Sequence, residues 1–167
     1  VALCDDEILF NIVLESIARH KDLPRIGKAL ELFEKAKMRP TLPTYGSLIK
    51  AYGLVKRPQR CHELWMQMTK RGLKPTQIVA GCMIDALVCN GLVNDAEQIF
   101  YEYSDPPNMI LYSILFKGFA SSNQPKRAMD LWRTMRKQGL KMNTVGYNSI
   151  IDSQARQGNV EEVTEIL

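Results

Sequence analysis

A motif of about 35 residues recurs along this chain, and that recurrence restricts the fold more than length or composition does. It is clearest in residues 42–76, LPTYGSLIKAYGLVKRPQRCHELWMQMTKRGLKPT. Tyr45, Leu48, Ile49 and Tyr52 stand at i, i+3, i+4 and i+7, which is one face of an α-helix, and Cys61, Leu64, Trp65 and Met68 repeat the spacing. Between the two predicted helices lies Lys56-Arg57-Pro58-Gln59. Proline fits the first turn of a helix because its missing N–H would have no partner there. The second helix should stop near Gly72, with Pro75 discouraging continuation and Lys70, Arg71 and Lys74 suiting the negative end of the helix dipole. The motif is a helical hairpin.

Five such units follow one another, at 7–41, 42–76, 77–108, 109–143 and 144–167, the last with an unfinished second helix. The first places Phe10, Val13, Leu14 and Ile17 on one helix and Ala29, Leu32, Phe33 and Ala36 on the next. On that reading its turn, through His20 to Pro24, is about three residues longer than in the second unit, and its exit is correspondingly shorter. The third carries Ala80, Met83, Ile84 and Leu87, then Ala96, Ile99, Phe100 and Tyr103, and ends early at Pro106-Pro107-Asn108. The fourth carries Tyr112, Leu115, Phe116 and Phe119, then Ala128, Leu131, Trp132 and Met135. The fifth carries Tyr147, Ile150 and Ile151, then Val163, Ile166 and Leu167. A lone hairpin cannot bury its apolar face, so repeated hairpins stack. The expected architecture is an all-α, right-handed α-solenoid, with Tyr45, Tyr112 and Tyr147 in one core layer and Trp65, Phe100 and Trp132 in another.

A formal charge of +4 and a pI near 8.9 favour an anionic partner only weakly. No apolar run approaches the ~20 residues that cross a bilayer, so no membrane role is expected. Cys4, Cys61, Cys82 and Cys89 form no CxxC pair and have no suitably spaced histidine, which argues against a zinc site. Cys82 and Cys89 are seven residues apart on one predicted helix, about 10 Å along its axis and too far for a disulfide. Buried thiols are expected. Only His20 and His62 are available as near-neutral bases, on a turn and on a solvent-side helix position of different units. Glu31, Glu63, Asp130 and Glu165 are read as recurring at one outer slot. No phosphate loop or nucleophile elbow is present, so neither an enzyme nor a cofactor is expected in this stretch.

Tetratricopeptide repeats have a 34-residue period and place a small residue eight positions into the unit, where this chain has Leu14, Ile49, Ile84, Phe116 and Ile151. The pattern instead resembles the pentatricopeptide repeat family. Thr44-Tyr45-Gly46-Ser47-Leu48-Ile49 and Tyr147-Asn148-Ser149-Ile150-Ile151 match its first helix. Ala29-Leu30-Glu31-Leu32-Phe33-Glu34 and Ala128-Met129-Asp130-Leu131-Trp132 match its second, and Gly72-Leu73-Lys74-Pro75-Thr76 its end. The resemblance covers essentially the whole chain.

It implies sequence-selective binding of single-stranded RNA, one base per unit, in mitochondrial or chloroplast RNA metabolism. In the family the fifth and last residues of a unit read the base edge. Carried over, these are Asn11 with Thr41, Gly46 with Thr76, Gly81 with Asn108, Ser113 with Asn143, and Asn148 with a partner beyond residue 167. The second residue, which sandwiches the bases, is Ile8, Ile78, Ile110 or Val145, with Pro43 departing from the pattern. A phosphate-contacting slot near the end of the first helix holds Arg19 and Arg156, but also Leu54, Cys89 and Ser121. The resemblance further implies that a serine at the fifth position with asparagine at the last favours adenine, paired asparagines favour cytosine, and Asn11 with Thr41 is a weaker pyrimidine reader.

Other readings stay open at this level. Thr41, Thr76, Asn108 and Asn143 stand where a side-chain oxygen caps the next helix, and capping alone selects these residue types. Gly46 and Gly81 offer no side chain and should discriminate bases poorly. The basic residues that end second helices, Lys70, Arg71, Lys74, Arg136, Lys137 and Lys141, are accounted for by the helix dipole. The competing class is a protein-binding superhelix gripping a peptide. The chain starts without methionine and stops within a helical pattern, which is read as a stretch of a longer array.

Overall fold

The computed structural model describes residues 7–36, 38–103, 105–106 and 108–166; Cys4, Pro107 and Leu167 lie outside them. The described residues form ten α-helices and no strand. They are α1 Glu7–Arg19, α2 Leu23–Lys35, α3 Leu42–Leu54, α4 Pro58–Lys70, α5 Gln77–Cys89, α6 Val93–Tyr103, α7 Met109–Ser121, α8 Pro125–Lys137, α9 Thr144–Ala155 and α10 Val160–Ile166. Odd-numbered helices pack on one another in succession, and α2, α4, α6 and α8 each bridge the first helix of their own unit and that of the next, while α10 packs on α9. The first helices are therefore the closer-packed row. A stack whose one row is closer-packed than the other curves toward that row, which puts the first helices on the inner side.

Side-chain size explains the closeness. A Cβ on Gly53 of α3 would sit 2.6 Å from the Ala86 Cβ and 2.9 Å from its Cα on α5, and a Cβ on Gly118 of α7 would sit 2.7 Å from a Val88 methyl on α5. Both glycines are required for close approach of neighbouring first helices. The eighth residue of the unit does the opposite work: Leu14, Ile49, Ile84 and Phe116 are fully buried core residues, each stabilising the stack by about 1.5–3 kcal/mol.

The turn within each hairpin is one recurring device. The backbone N–H groups of Asp22, Arg57, Leu92, Gln124 and Asn159 donate to the carbonyls of Ile17, Tyr52, Leu87, Phe119 and Gln154, the six-to-one bond of a Schellman motif. The residue just before each donor, Lys21, Lys56, Gly91, Asn123 or Gly158, has positive φ. The first two turns are thus alike, at 20–22 and 55–57, and the exits at 36–41 and 71–76 also match. The longer turn and shorter exit expected for the first unit are not present.

That equality shifts the apolar stripe of α2. Asp22 caps the helix by accepting from the Arg25 N–H at 3.1 Å, so Ile26, Ala29 and Leu30 are the buried residues, with Phe33 partly buried. Leu32 and Ala36, expected in the core, do not belong to the stripe; Leu32 is 47 % exposed. Two stripes three residues apart share Ala29 and Phe33, and periodicity alone could not separate them. Glu31 consequently leaves the slot of Glu63, Asp130 and Glu165.

One core layer stops short as well. Tyr45 and Tyr112 are buried, whereas Tyr147 is 37 % exposed. The Tyr45 hydroxyl accepts from the Arg71 guanidinium and the Tyr112 hydroxyl donates to the Gln138 side chain, each partner lying 26 residues further on. The matching position for Tyr147 falls beyond residue 167. Trp65, Phe100 and Trp132 are all buried.

Candidate nucleic-acid interface

At 100° per residue, the second position of each first helix falls on the side opposite the fourth, eighth and eleventh, which build the core, and the fifth lies at the edge between the two sides. The structure exposes the second positions accordingly: Ile8 is 72 % exposed, Ile78 80 %, Ile110 67 % and Val145 59 %, and Pro43 is exposed too. A single exposed isoleucine needs no explanation, but one apolar side chain per unit along one face is a row.

At one junction between units the fifth and last residues meet directly. In the fourth unit the Ser113 hydroxyl lies 3.1 Å from Asn143 Oδ1 and 2.8 Å from the Met109 carbonyl, and its single proton serves one of them at a time. Asn143 Oδ1 also accepts from the Gly146 N–H at 2.9 Å, capping α9. The cap fixes the orientation of the amide. Its Nδ2 is left on an exposed residue, without a protein partner among the described residues.

The other junctions differ. Asn108 uses both ends of its amide, Oδ1 accepting from the Ile110 N–H at 2.9 Å and Nδ2 donating to Gln77 Oε1 at 3.2 Å; Gln77 in turn donates to the Pro106 carbonyl. In the first unit Asn11 Nδ2 donates to the Thr44 hydroxyl at 2.9 Å, and its Oδ1 is buried without a hydrogen bond. The Thr41 N–H donates to Glu7 at 2.8 Å, and the Thr41 hydroxyl faces that of Thr44, which also donates to Glu7. Thr41 starts α3 without a side-chain cap, while Thr76 caps α5 weakly at 3.4 Å from the Val79 N–H. Asn148 is exposed.

Gly46 and Gly81 face the third residue of the following unit. A Cβ on Gly46 would touch Val79 and Cys82 at 3.7 Å, and one on Gly81 would come within 3.2 Å of the Leu111 side chain. Neither position is closed to a side chain. The residues that sequence reasoning missed are Glu7, Thr44 and Gln77. For Glu7 and Gln77 the signal was the first residue of the unit, polar there but apolar in Leu42 and Met109, whereas Thr44 stands third in its unit.

Hydrogen bonds leave a mark on Glu7. Burial pushes its carboxyl pKa up, but donation from the Thr44 hydroxyl and the Thr41 N–H outweighs this and lowers it overall. Arg19 is exposed at the end of α1, and Arg156 pairs with Asp152 at 2.9 Å. Several other basic side chains are spent on packing: Arg71 lies over the Tyr45 ring and donates to the Pro40 carbonyl, and Arg136 lies over Trp132. His20 bonds the Ser16 carbonyl, and His62 stands 3.4 Å from Asp95 on the outer surface. Burial raises the Cys61 thiol pKa to about 12, and Cys82 and Cys89 are partly buried. Among the described residues no group of three or more His, Cys, Asp or Glu is placed to hold a metal ion, and no helix is long and apolar enough to cross a membrane.

Comparison with known proteins agrees with this geometry. A family model described as "Pentatricopeptide repeat domain" matches residues 6–57, "PPR repeat" matches 43–73 and 79–103, and "PPR repeat family" matches 107–156. A chloroplastic pentatricopeptide repeat-containing protein of Arabidopsis thaliana is 28 % identical over 90 % of this chain and 31 % of its own length. A mitochondrial one from the same plant is 28 % identical over 95 % and 39 %. The chain thus spans well under half the length of these relatives. Among solved structures, maize PPR10 in complex with an 18-nt psaJ RNA element shares the fold with a TM-score of 0.78 and 22 % identity, over 97 % of this chain and 24 % of that one. The PPR domain of Arabidopsis thaliana protein-only RNase P 1, in complex with tRNA, has a TM-score of 0.73 at 13 % identity, over 96 % and 86 %. Repeating hairpins, bulky residues at the eighth position and family matches that together run through nearly every unit lead to one conclusion: this chain belongs to the pentatricopeptide repeat family.

Proposed function

We propose that the chain binds single-stranded RNA along the face of its first helices, one base per unit, and serves organellar RNA metabolism in the mitochondrion or chloroplast. The observation that carries this reading is the fourth junction, where Ser113 and Asn143 meet beside exposed Ile110 and an amide N–H remains for a base. Exposed Ile8, Ile78, Ile110 and Val145 give bases an apolar surface to lie on, and Asn11 with Thr41, Gly46 with Thr76, Gly81 with Asn108, and Asn148 are the other readers. A protein-binding superhelix is the second reading, since the same apolar row suits a peptide; RNA binding weakens with salt by a log–log slope of about −0.7 per phosphate contacted.

The test is Ser113→Asn, with both chains selecting from a random RNA pool. Asn143 still caps α9 through the Gly146 N–H, so the melting temperature stays nearly constant. The group beside the base changes from hydroxyl to amide, and preference at that one position moves from adenine toward cytosine by roughly 1–3 kcal/mol. Selection of the same base by both chains would falsify base reading by this pair.

A further inference from the structure

The ninth residue of each unit lies one helical turn beyond the base-reading fifth and one before the Arg19 and Arg156 slot, on the same face of the first helix. Its occupants are Glu15, Lys50, Asp85, Lys117 and Asp152, so the charge alternates in sign from unit to unit. Asp85 is half-buried and the other four are exposed. These side chains are neighbours in the stack: Cys82 lies within Coulombic reach of Glu15, Lys50 and Asp85, and Cys89 within reach of Asp85 and Lys117.

A purely structural account would have each lysine clasp the carboxylates beside it. Among the described residues, however, neither Lys50 nor Lys117 has a salt-bridge or hydrogen-bond partner. Asp152 is held instead by Arg156 of its own helix at 2.9 Å, and Asp85 accepts weakly from the Cys89 thiol at 3.9 Å. Exposed charges on neighbouring helices contribute at most about 1 kcal/mol per pair even in contact, so stacking stability does not explain an alternating row of unpaired lysines.

We infer that Lys50 and Lys117 contact phosphates at the second and fourth units, where the Arg19 and Arg156 slot holds no basic residue, and that the carboxylates at the first, third and fifth units turn the intervening phosphates toward water. The strand is then gripped electrostatically at every second nucleotide, although bases are read at every unit. This rests on the proposed RNA binding and adds to it a two-nucleotide period in the backbone contacts. The row of carboxylates also keeps nonspecific polyanion binding low, because two attracting rungs alternate with three repelling ones.

The probe is a single-stranded RNA oligonucleotide of the sequence that this chain selects from a random pool, with phosphates replaced one at a time by uncharged methylphosphonates. Two linkages, two nucleotides apart, are expected to lose affinity on neutralisation, and these two contacts are expected to contribute about −1.4 to the wild-type salt slope. Lys50→Gln should abolish the effect at one linkage and Lys117→Gln at the other, each flattening the slope by about 0.7. Lys50→Arg should retain the effect, and Asp85→Lys should add a third sensitive linkage between the two. Thermal melts monitor folding of every variant. Sequence-selective binding with equal sensitivity at all linkages, or a scan unmoved by both Lys→Gln changes, overturns the inference while leaving base reading intact. Failure of the chain to select any RNA removes the underlying reading and the inference together.

Discussion

The third and fourth units both end in asparagine, at the same slot, capping the helix that follows, yet they present different chemistry to the inner face. Asn108 has less of its amide to offer, because Gln77 takes one of its two Nδ2 protons and holds the group in place, while its oxygen accepts from the Ile110 N–H. Asn143 keeps Nδ2 unpartnered, because the first residue of its unit is Met109, which packs against the core. The fifth residue widens the contrast, Gly81 being mute where Ser113 carries a hydroxyl. What a last-position residue can offer a ligand is therefore set by its neighbours across the unit as well as by its own identity. A residue 31 positions upstream sets how much of the Asn108 amide is available and how it is oriented.

The strongest way to break this comparison is to give the third unit the fourth unit's neighbours. In the double variant Gln77→Met, Gly81→Ser, Asn108 loses its competitor and gains a hydroxyl beside it. The new Cβ meets only the far end of the Leu111 side chain at 3.2 Å, which a rotation relieves. RNA selection should then show adenine preference at the third position approaching that at the fourth, about 1–3 kcal/mol where little existed. Unchanged selection by a folded variant breaks the comparison.

A smaller effect separates capping from reading. Asn108→Ala and Asn143→Ala each remove a side-chain cap, and urea unfolding should show both losing about 1 kcal/mol. Only Asn143→Ala should also broaden base selection at its position. Equal broadening by both would mean that Asn108 is as available as Asn143.

The smallest effect extends the comparison to the first unit, where Glu7 stands in the slot of Gln77. Burial alone would raise the Glu7 pKa, but hydrogen bonds from the Thr44 hydroxyl and the Thr41 N–H bring it below its ordinary value of 4.5. A carboxylate depressed by folding stabilises the fold above its unfolded pKa, and the contribution is lost as pH falls through the folded value. Wild type should exceed Glu7→Gln in urea midpoint near neutrality, with the gap narrowing as pH drops below 4.5. Gln77→Met should show a pH-independent difference over the same range.

The first-helix core was legible in the sequence because its signal is local. Tyr45, Leu48, Ile49 and Tyr52 recur within two helical turns, and such an apolar stripe faces a core. The α2 stripe was misread because Ala29 and Phe33 fit two registers, and only the turn before the helix chooses between them. That turn is set by Lys21 at φ 53°, as its equivalent is by Lys56 at φ 60°, and lysine carries no signal for a left-handed conformation.

What the sequence determined by itself was the repeating hairpin, its period and the slots that face inward, since each depends on residues within a turn or two of one another. What the tertiary structure decided was which polar side chains at those slots are free. The Asn11–Thr44, Thr41–Glu7 and Asn108–Gln77 bonds join residues 31 to 34 apart, one unit's length. Hydrogen bonds need donor and acceptor within about 3 Å, and periodicity brings helices side by side without specifying at that precision which side chain meets which.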